Sequence, residues 1–208
     1  MVALLLTGRS KSSIISEDPF EEKVGDTVKI TVFLGASESN DPAFKTAVRE
    51  LGTWIGESGN SLVYGGSKSG LMGELAESVL LAGGTVIGVE PQRFIDEGFL
   101  YDDITELIVT ADIPERKRKM MELGEAFIAF PGGTGTLEEI TEVMSVVALK
   151  DTKAPCVLYN LHGYYEGMKI LLNHMIAKGF STEEKQRGIY FAENLSEIRQ
   201  ILNNSSVL

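Results

Sequence analysis

A glycine-rich segment followed by two acidic residues is the part of this sequence best suited to chemistry. Pro131-Gly132-Gly133-Thr134-Gly135-Thr136 is separated from Glu138 and Glu139 by one leucine. Glycine has no Cβ, so its backbone can come close to a phosphate, and N–H groups at the start of a helix attract anions. Because adjacent side chains on a helix point in different directions, we expect one of the two acids to be structural and the other functional.

Basic residues are concentrated just before this segment, in Arg116-Lys117-Arg118-Lys119. The cluster is informative because the whole chain has 30 acidic and 19 basic residues, for a formal net charge of -11. A run of charges is usually a solvated helix face, which is our interpretation of Arg118 and Lys119. Arg116 and Lys117 lie nearer the predicted helix start, and we expect them to face a bound anion.

Two further glycine-containing loops, Gly35-Ala36-Ser37 and Gly65 to Gly70, also follow predicted strands and lead into helices. None of the loops is a known nucleotide fingerprint: the third glycine of G-x-G-x-x-G would fall on Glu138, and no glycine precedes the lysine and hydroxyl residue of a Walker A motif. For any one loop, a tight turn with close helix–sheet packing is an equal alternative. Three such loops at one sheet edge favour an anion site.

Alternating β-branched runs and helical stripes predict the framework that positions these loops. Strands are expected at 28–34, 61–64, 85–89, 105–109, 126–130, 155–159 and 188–191, and helices at 42–59, 71–83, 113–123, 137–148, 164–177 and 195–202. This alternation predicts a Rossmann-like, doubly wound α/β fold whose mainly parallel sheet has helices on both faces. Ligands bind such sheets beyond the carboxyl ends of the strands, where all three loops lie. We expect residues 28–208 to form one domain and residues 1–27 a partly mobile N-terminal extension.

Composition and charge exclude several classes of protein. A single cysteine rules out a disulfide scaffold and, together with the lack of a recognisable signal sequence, favours a cytoplasmic protein. No apolar run approaches the roughly 18 residues of a membrane helix. The acidic net charge argues against binding long nucleic acids. His162 and His174 have no second ligand at metal spacing, and Cys156 lies in an apolar strand, so we expect neither a metal site nor a nucleophilic cysteine.

Three motifs, in the same order, resemble those of the Lonely Guy family, the cytokinin riboside 5′-monophosphate phosphoribohydrolases formerly labelled lysine decarboxylases. Tyr64 to Gly73 is similar to Y-G-G-G-x-x-G-L-M-G, Glu115-Arg116-Lys117 to Met120 is similar to H-x-R-K-x-x-M, and Pro131 to Glu139 is similar to P-G-G-x-G-T-x-x-E. The resemblance extends from about Val32 to Glu197. It implies a Rossmann-like homodimer, with active sites near the subunit interface, that cleaves a nucleoside 5′-monophosphate into free base and ribose 5-phosphate. We expect no cofactor. The apolar stripe of Met144, Val147 and Ala148, beside the proposed site, is expected to support the dimer.

The resemblance assigns catalysis to Arg116 and Glu139. It implies phosphate binding by the glycine loop, helped by Ser37 and Lys117, so that the predicted phosphate- and substrate-binding residues are Ser37, Gly66, Lys117, Gly132, Gly133, Gly135 and Thr136. Breaking the bond between ribose C1′ and the base builds oxocarbenium-like charge on the sugar. Glu139 could stabilise that cation or orient the attacking water. Arg116 could bind the phosphate or stabilise charge on the leaving base. Because the pKa of arginine is above about 12, the donor that protonates the base is left open.

The sequence departs from the family pattern at positions that surround this proposed pair. They are Ser67 for a glycine, Ile113-Pro114 for methionine and histidine, Thr134 for a tyrosine, and Val146-Val147-Ala148 for tryptophan, alanine and glutamine. The preferred base, adenine or prenylated adenine, therefore stays open.

Two other functions compete with the hydrolase. One is a nucleotide-binding or carrier module that has this fold but no turnover, and the presence of both Arg116 and Glu139 favours the enzyme over it. The other is a lysine decarboxylase, which we reject because no lysine has a recognisable setting for a pyridoxal Schiff base.

Overall fold

The structure is a computed structural model that describes residues 27–205. In this range a seven-stranded, all-parallel sheet has the order β4-β3-β2-β1-β5-β6-β7. The strands are β1 Lys29–Phe33, β2 Ser61–Tyr64, β3 Thr85–Pro91, β4 Glu106–Thr110, β5 Ala126–Ala129, β6 Cys156–Tyr159 and β7 Ile189–Ala192. The chain moves outward in one direction from β1 to β4, then returns to the centre at β5. The β1–β5 pair is therefore the topological switch point.

Helices cover both faces of this sheet. They are α1 Pro42–Glu57, α2 Gly70–Leu81, α3 Gln92–Asp96, α4 Ile113–Leu123, α5 Thr134–Leu149, α6 Glu166–Ala177, α7 Glu183–Gln186 and α8 Leu195–Asn204. On one face, α1, α2 and α8 bury a core with Ile30, Val32 and Leu62. On the other, α4, α5 and α6 bury Phe33, Val63 and Phe127. The period-two alternation of apolar side chains along β1 and β2 fills both cores, and the predicted doubly wound α/β fold is confirmed.

Helix α4 connects the edge strand β4 to the central strand β5, and this crossover carries Arg116 towards the switch point. Its start is set by Asp112, whose side chain accepts a hydrogen bond from the Glu115 N–H, with proline in the first turn. Nearer its end, the Thr31 hydroxyl in β1 donates to the Met120 carbonyl at 3.0 Å in the buried core. A capped start and a buried anchor fix the helix relative to β1.

The structure differs from the sequence-based element boundaries in several places, including α5, which begins at Thr134 rather than at residue 137. The short helices α3 and α7 were not predicted, because four or five residues give too little periodicity to recognise. The helix expected from residue 164 begins at Glu166, after a 3₁₀ turn, Leu161–Gly163, in which His162 has a φ of 53°. Asn160 makes this turn possible by accepting from the Tyr165 N–H through its side chain.

The expected N-terminal extension, residues 1–27, lies outside the described residues except at its last position. Among the residues described, no helix has the length and apolar character required to cross a bilayer.

Candidate active site

A cavity of about 520 Å³ opens at the carboxyl ends of β1 and β5, where the strand order reverses. Both central strand-to-helix loops line it, as expected for the switch point of a doubly wound sheet. Of the residues predicted from the sequence, the cavity is lined by Ser37, Arg116, Gly132, Gly133, Gly135, Thr136 and Glu139. Predicted residues from three separate segments of the chain thus meet at one place.

The N-terminus of α5 faces this cavity, and Gly133 is its N-cap residue. Within residues 27–205 no side chain caps the N–H groups of its first turn, whereas Asp41 and Asp112 cap α1 and α4. A Cβ added to Gly133 or Gly135 would have no atom within 4 Å. Packing therefore does not require glycine at these two positions. Glycine would instead be needed if an anion approaches the uncapped N–H groups closely.

Gly132 has a different role, because it lies where the β1 and β5 loops touch. A Cβ at this position would overlap Oγ1 of the buried Thr136 and lie 3.0 Å from the Gly35 backbone nitrogen. Its carbonyl accepts from the Tyr164 hydroxyl at 2.5 Å. The glycine loop is thus held between Gly35, Thr136 and Tyr164, which keeps the α5 N-terminus in a fixed position at the cavity.

Arg116 reaches the cavity across a glycine of the β2 loop. A Cβ on Gly65 would overlap Nη2 of Arg116 and lie 2.6 Å from the terminal methyl of Met72. The arginine side chain is 14% exposed, and its Nε has no hydrogen-bond partner among the described residues. Glycine at position 65 leaves room for the guanidinium, and a larger side chain would displace the ends of Arg116 and Met72.

Glu139 lies one helical turn into α5 and faces Arg116. Its Oε1 is 3.8 Å from Arg116 Nη2, and its side chain is 12% exposed. Burial raises the pKa of this carboxyl from 4.5 to about 7, although the positive charge of Arg116 acts in the opposite direction. Near neutral pH the site therefore holds a carboxyl group that exists in both protonation states.

Glu138 points away from the cavity, and its side chain is 64% exposed. Nζ of Lys117 lies 2.7 Å from Oε1 of Glu138 and 3.0 Å from Oε2 of Glu142, so this lysine links α4 to α5. The hydrogen bond from Lys117 to Glu138 is the main cause that raises the pKa of the lysine. Lys117 does not line the cavity, and its predicted contact with phosphate stays a prediction.

Gly66 also lies outside the cavity lining. It has a φ of +83°, and a Cβ there would lie 2.5 Å from Oε2 of Glu90. The left-handed backbone and this close carboxylate each require glycine. Substrate contact by Gly66 stays a prediction.

Sequence reasoning missed three residues around the site: Tyr164, Phe44 and Glu90. Tyr164 and Phe44 line the cavity with their ring centroids 6.0 Å apart in an edge-to-face arrangement. Neither belongs to a recognised motif, and they are 120 positions apart in the numbering (164 − 44). Glu90 did carry a usable signal, since an acid at the end of an otherwise apolar strand predicts a buried charge with a partner.

The described residues contain no group of three or more histidine, cysteine, aspartate or glutamate side chains that could hold a metal ion. Cys156 is fully buried in β6, and burial raises the pKa of its thiol well above the ordinary value. A thiol in this setting is a core residue rather than a nucleophile.

Comparison with known proteins gives matches over most of the chain. A family model described as "Possible lysine decarboxylase" matches residues 72–202. The cytokinin riboside 5′-monophosphate phosphoribohydrolase of Rhodococcoides fascians is 43% identical over 155 residues, which cover 74% of this chain and 78% of that protein. An Arabidopsis thaliana protein of the same name is 35% identical over 182 residues, covering 87% of this chain and 84% of that protein.

Among solved structures, the molybdenum cofactor binding protein of Rippkaea orientalis aligns with a TM-score of 0.65 at 21% identity, covering 86% of this chain and 96% of that chain. The Moco carrier protein of Chlamydomonas aligns with a TM-score of 0.62 at 23% identity, covering 86% and 99%. At this level of identity the likeness shows the fold alone. The family follows from the sequence matches: the chain belongs to the Lonely Guy family, whose members are named cytokinin riboside 5′-monophosphate phosphoribohydrolases.

Proposed function

We propose that this protein hydrolyses the N-glycosidic bond of a nucleoside 5′-monophosphate, either a cytokinin riboside 5′-monophosphate or AMP, to free base and ribose 5-phosphate. The observation that carries the proposal is the placement of the Arg116–Glu139 pair in the same cavity as the uncapped N-terminus of α5. An anion site next to a buried carboxylate is what this reaction requires.

The 5′-phosphate binds at the start of α5. The backbone N–H groups of Thr134, Gly135 and Thr136 and the positive end of the α5 dipole face the cavity. Ser37, on the β1 loop, also lines the cavity. Because the phosphate is remote from the bond that breaks, its binding energy orients the ribose against Glu139.

Cleavage of the bond between C1′ and the base nitrogen leaves positive charge on the sugar. The Glu139 carboxylate stabilises this charge and orients the water whose oxygen adds to C1′. The base leaves with the bonding electron pair and takes up a proton, and the water that adds to C1′ gives one up, so the overall reaction consumes one water and no net proton. Arg116 stays protonated and stabilises negative charge on the phosphate or on the departing base.

The base lies against the apolar part of the cavity wall, formed by Phe44, Leu71, Met72 and Tyr164. Aromatic and thioether side chains offer flat, polarisable contacts for a purine. Adenine and prenylated adenine differ only in apolar bulk, so a wall of this composition discriminates between them by size alone.

We further propose that the active protein is a homodimer. The stripe of Met144, Val147 and Ala148 expected to support a dimer lies mainly in the monomer core, where Met144 is 7% and Val147 2% exposed. The apolar surface is instead a groove between α5 and α6, lined by Leu137, Met168 and Leu171 among others. Leu137 and Leu171 are 41% and 47% exposed, and the adjoining depression includes the glycine loop, so a partner here would lie next to the active site.

The test of the proposed reaction is incubation of the pure protein with AMP, isopentenyladenosine 5′-monophosphate and the matching nucleosides, with chromatography of the products. Free base and ribose 5-phosphate in equal amounts are expected from the monophosphates, and far slower release from the nucleosides. Equal rates with and without the 5′-phosphate would contradict the phosphate site. Tight binding of a monophosphate with no product would favour the carrier module instead.

A further inference from the structure

Glu90 is a buried acid at the end of β3 that the proposed reaction does not use. The residue is 2% exposed, and its Oε2 atom has no hydrogen-bond partner among the described residues. An unpaired carboxylate in such a position lowers the stability of the fold. Its presence therefore suggests a function. In the described part of the chain the Tyr64 hydroxyl and Arg116 Nε are also buried without a partner, which makes three such polar atoms in this part of the fold.

The β2 loop brings Glu90 and Arg116 together through two adjacent glycines. A Cβ on Gly65 would overlap Nη2 and lie 2.9 Å from Cζ of Arg116, and a Cβ on Gly66 would lie 2.5 Å from Oε2 of Glu90. Both charged groups therefore lie directly against the same short stretch of backbone. Arg116 is not within ion-pair distance of Glu90, but its charge acts on the Glu90 carboxyl.

The contact between Arg116 and Glu139 does not by itself hold the guanidinium in one orientation. A separation of 3.8 Å is too long for a hydrogen bond. Glu139 lies on the cavity side of the guanidinium, whereas Glu90 is buried and does not line the cavity. Arg116 thus lies near one carboxyl group that substrate contacts and a second that substrate does not reach.

We propose that Glu90 is a positioning residue, whose buried carboxylate orients the Arg116 guanidinium over Gly65 towards Glu139 and the substrate. This role rests on the proposed hydrolysis, because it matters to turnover only if Arg116 acts on the substrate. The positive charge of Arg116 then acts on both carboxyl groups, on Glu90 without an ion pair, and removal of either carboxylate changes the electrostatic environment of the other.

The titratable groups around Glu90 and Glu139 determine how turnover and stability depend on pH. Glu90 is faced by Arg116 from α4 and by Tyr64 from β2, with Tyr101 beside Tyr64. Burial raises the pKa of Glu90 from 4.5 to about 7. The folded protein therefore binds the Glu90 proton more tightly than the unfolded chain does. The contribution of protonated Glu90 to the free energy of unfolding is complete below pH 4.5 and is lost as pH rises towards 7.

Glu139 is faced by Arg116 and Lys117 from α4 and by Glu138 and Glu142 from its own helix. Without the Glu90 charge, the positive charge of Arg116 acts on Glu139 alone, which lowers the pKa of Glu139. The acid limb of the kcat profile, measured at saturating AMP, should therefore move to lower pH when Glu90 is made neutral.

The experiment compares wild type with Glu90→Gln and with Glu90→Met, an apolar residue of similar volume. The matched control is Glu106→Gln, the same substitution at an exposed position of β4. Both Glu90 variants should have an equal or higher Tm than wild type, by a larger margin at pH 8 than at pH 5, because an unpaired buried charge is removed. Their kcat should fall about 10-fold to 100-fold, as expected when a reacting group is misplaced by an ångström.

The outcomes separate this inference from the proposed reaction. Unchanged kcat and an unmoved acid limb in a folded Glu90 variant, with wild type active, would overturn the role of Glu90 and leave the reaction standing. If wild type hydrolyses no nucleotide, the reaction fails, and calorimetric titration with AMP between pH 5 and 8 still tests the orientation of Arg116. The same pH dependence of the Kd in wild type and Glu90→Gln would then overturn the inference, and a shift confined to the Glu90 variants would support it.

Discussion

Nη2 of Arg116 lies 3.8 Å from Oε1 of Glu139, although the two residues come from helices on either side of β5 in the chain. This separation leaves both groups free to form their shortest hydrogen bonds with a ligand rather than with each other. The opposite arrangement holds for the neighbouring residues Lys117 and Glu138, which are 2.7 Å apart. Arg116 and Glu139 can thus bind substrate, whereas Lys117 and Glu138 already bind each other.

Glu139→Gln should abolish turnover while nucleotide binding persists. The change preserves size and hydrogen bonding but removes the charge that stabilises the sugar cation. We expect kcat to fall about 10²-fold to 10³-fold, by analogy with the loss of one preorganised oxyanion-hole donor. The measurement is single-turnover release of base from AMP, together with a Kd from calorimetry.

Glu138→Gln is the matched control, because it makes the same change at the adjacent residue. Its exposed ion pair with Lys117 contributes about 0.2–1 kcal/mol, so a small loss of stability with normal turnover is expected. An inactive Glu138→Gln with an active Glu139→Gln would reverse the two roles, and normal turnover in both would exclude a carboxylate mechanism.

The pH dependence of turnover should report Glu139. Its pKa is raised to about 7 and the carboxylate is the active form, so activity should rise with pH to a plateau above about pH 8. At pH 5, two units below this pKa, only about 1% of the residue is charged, and turnover should fall by about 100-fold. The measurement is kcat at saturating AMP, because the substrate phosphate itself titrates near pH 6. A flat profile between pH 5 and 8 would show that the charge on Glu139 is not required.

Sequence reasoning identified much of the cavity lining because these residues belong to short, local motifs. The segment from Gly132 to Glu139 combines a loop, a helix start and an acid, and parallel-sheet topology dictates which end of the strand it occupies. Arg116 was found in the same way, from a basic cluster near a helix start.

Contacts between distant segments could not be predicted in this way. The ion pairs of Lys117 with Glu138 and Glu142 depend on how α4 packs against α5, and no local pattern determines that packing. The hydrogen bond from Tyr164 to Gly132 likewise joins two loops separated by an entire helix and strand. The stripe of Met144 and Val147 was misjudged for the same reason, since helical periodicity identifies an apolar face but not what covers it.

Leu171→Glu should convert the proposed dimer to a monomer. The substitution puts a charge into the apolar groove between α5 and α6, where a partner would have to desolvate it. Light scattering at micromolar concentration gives the mass. Ile170→Glu is the control, because Ile170 is 61% exposed on the same helix but does not line the groove. A monomeric wild type with full activity would contradict the dimer itself.

The last prediction separates the stability of α5 from its function. Gly135 and Gly167 are each the second residue of a helix, in α5 and α6 respectively, and neither has an atom within 4 Å of an added Cβ. Alanine at either position should stabilise the protein by about 0.4–1 kcal/mol, because it restricts the unfolded chain without strain in the folded one. Thermal or urea unfolding measures this gain.

Only Gly135→Ala should impair catalysis, because only Gly135 lines the cavity. The added methyl group keeps a phosphate from the uncapped N–H groups at the start of α5. Loss of one hydrogen bond to a charged group, about 1.5–3 kcal/mol, corresponds to a rise in the KM for AMP of about 10-fold to 100-fold. Gly167→Ala should leave KM unchanged while it gains the same stability. If both variants kept the wild-type KM, the phosphate would have to bind elsewhere in the cavity, and the role assigned to the α5 N-terminus would be wrong.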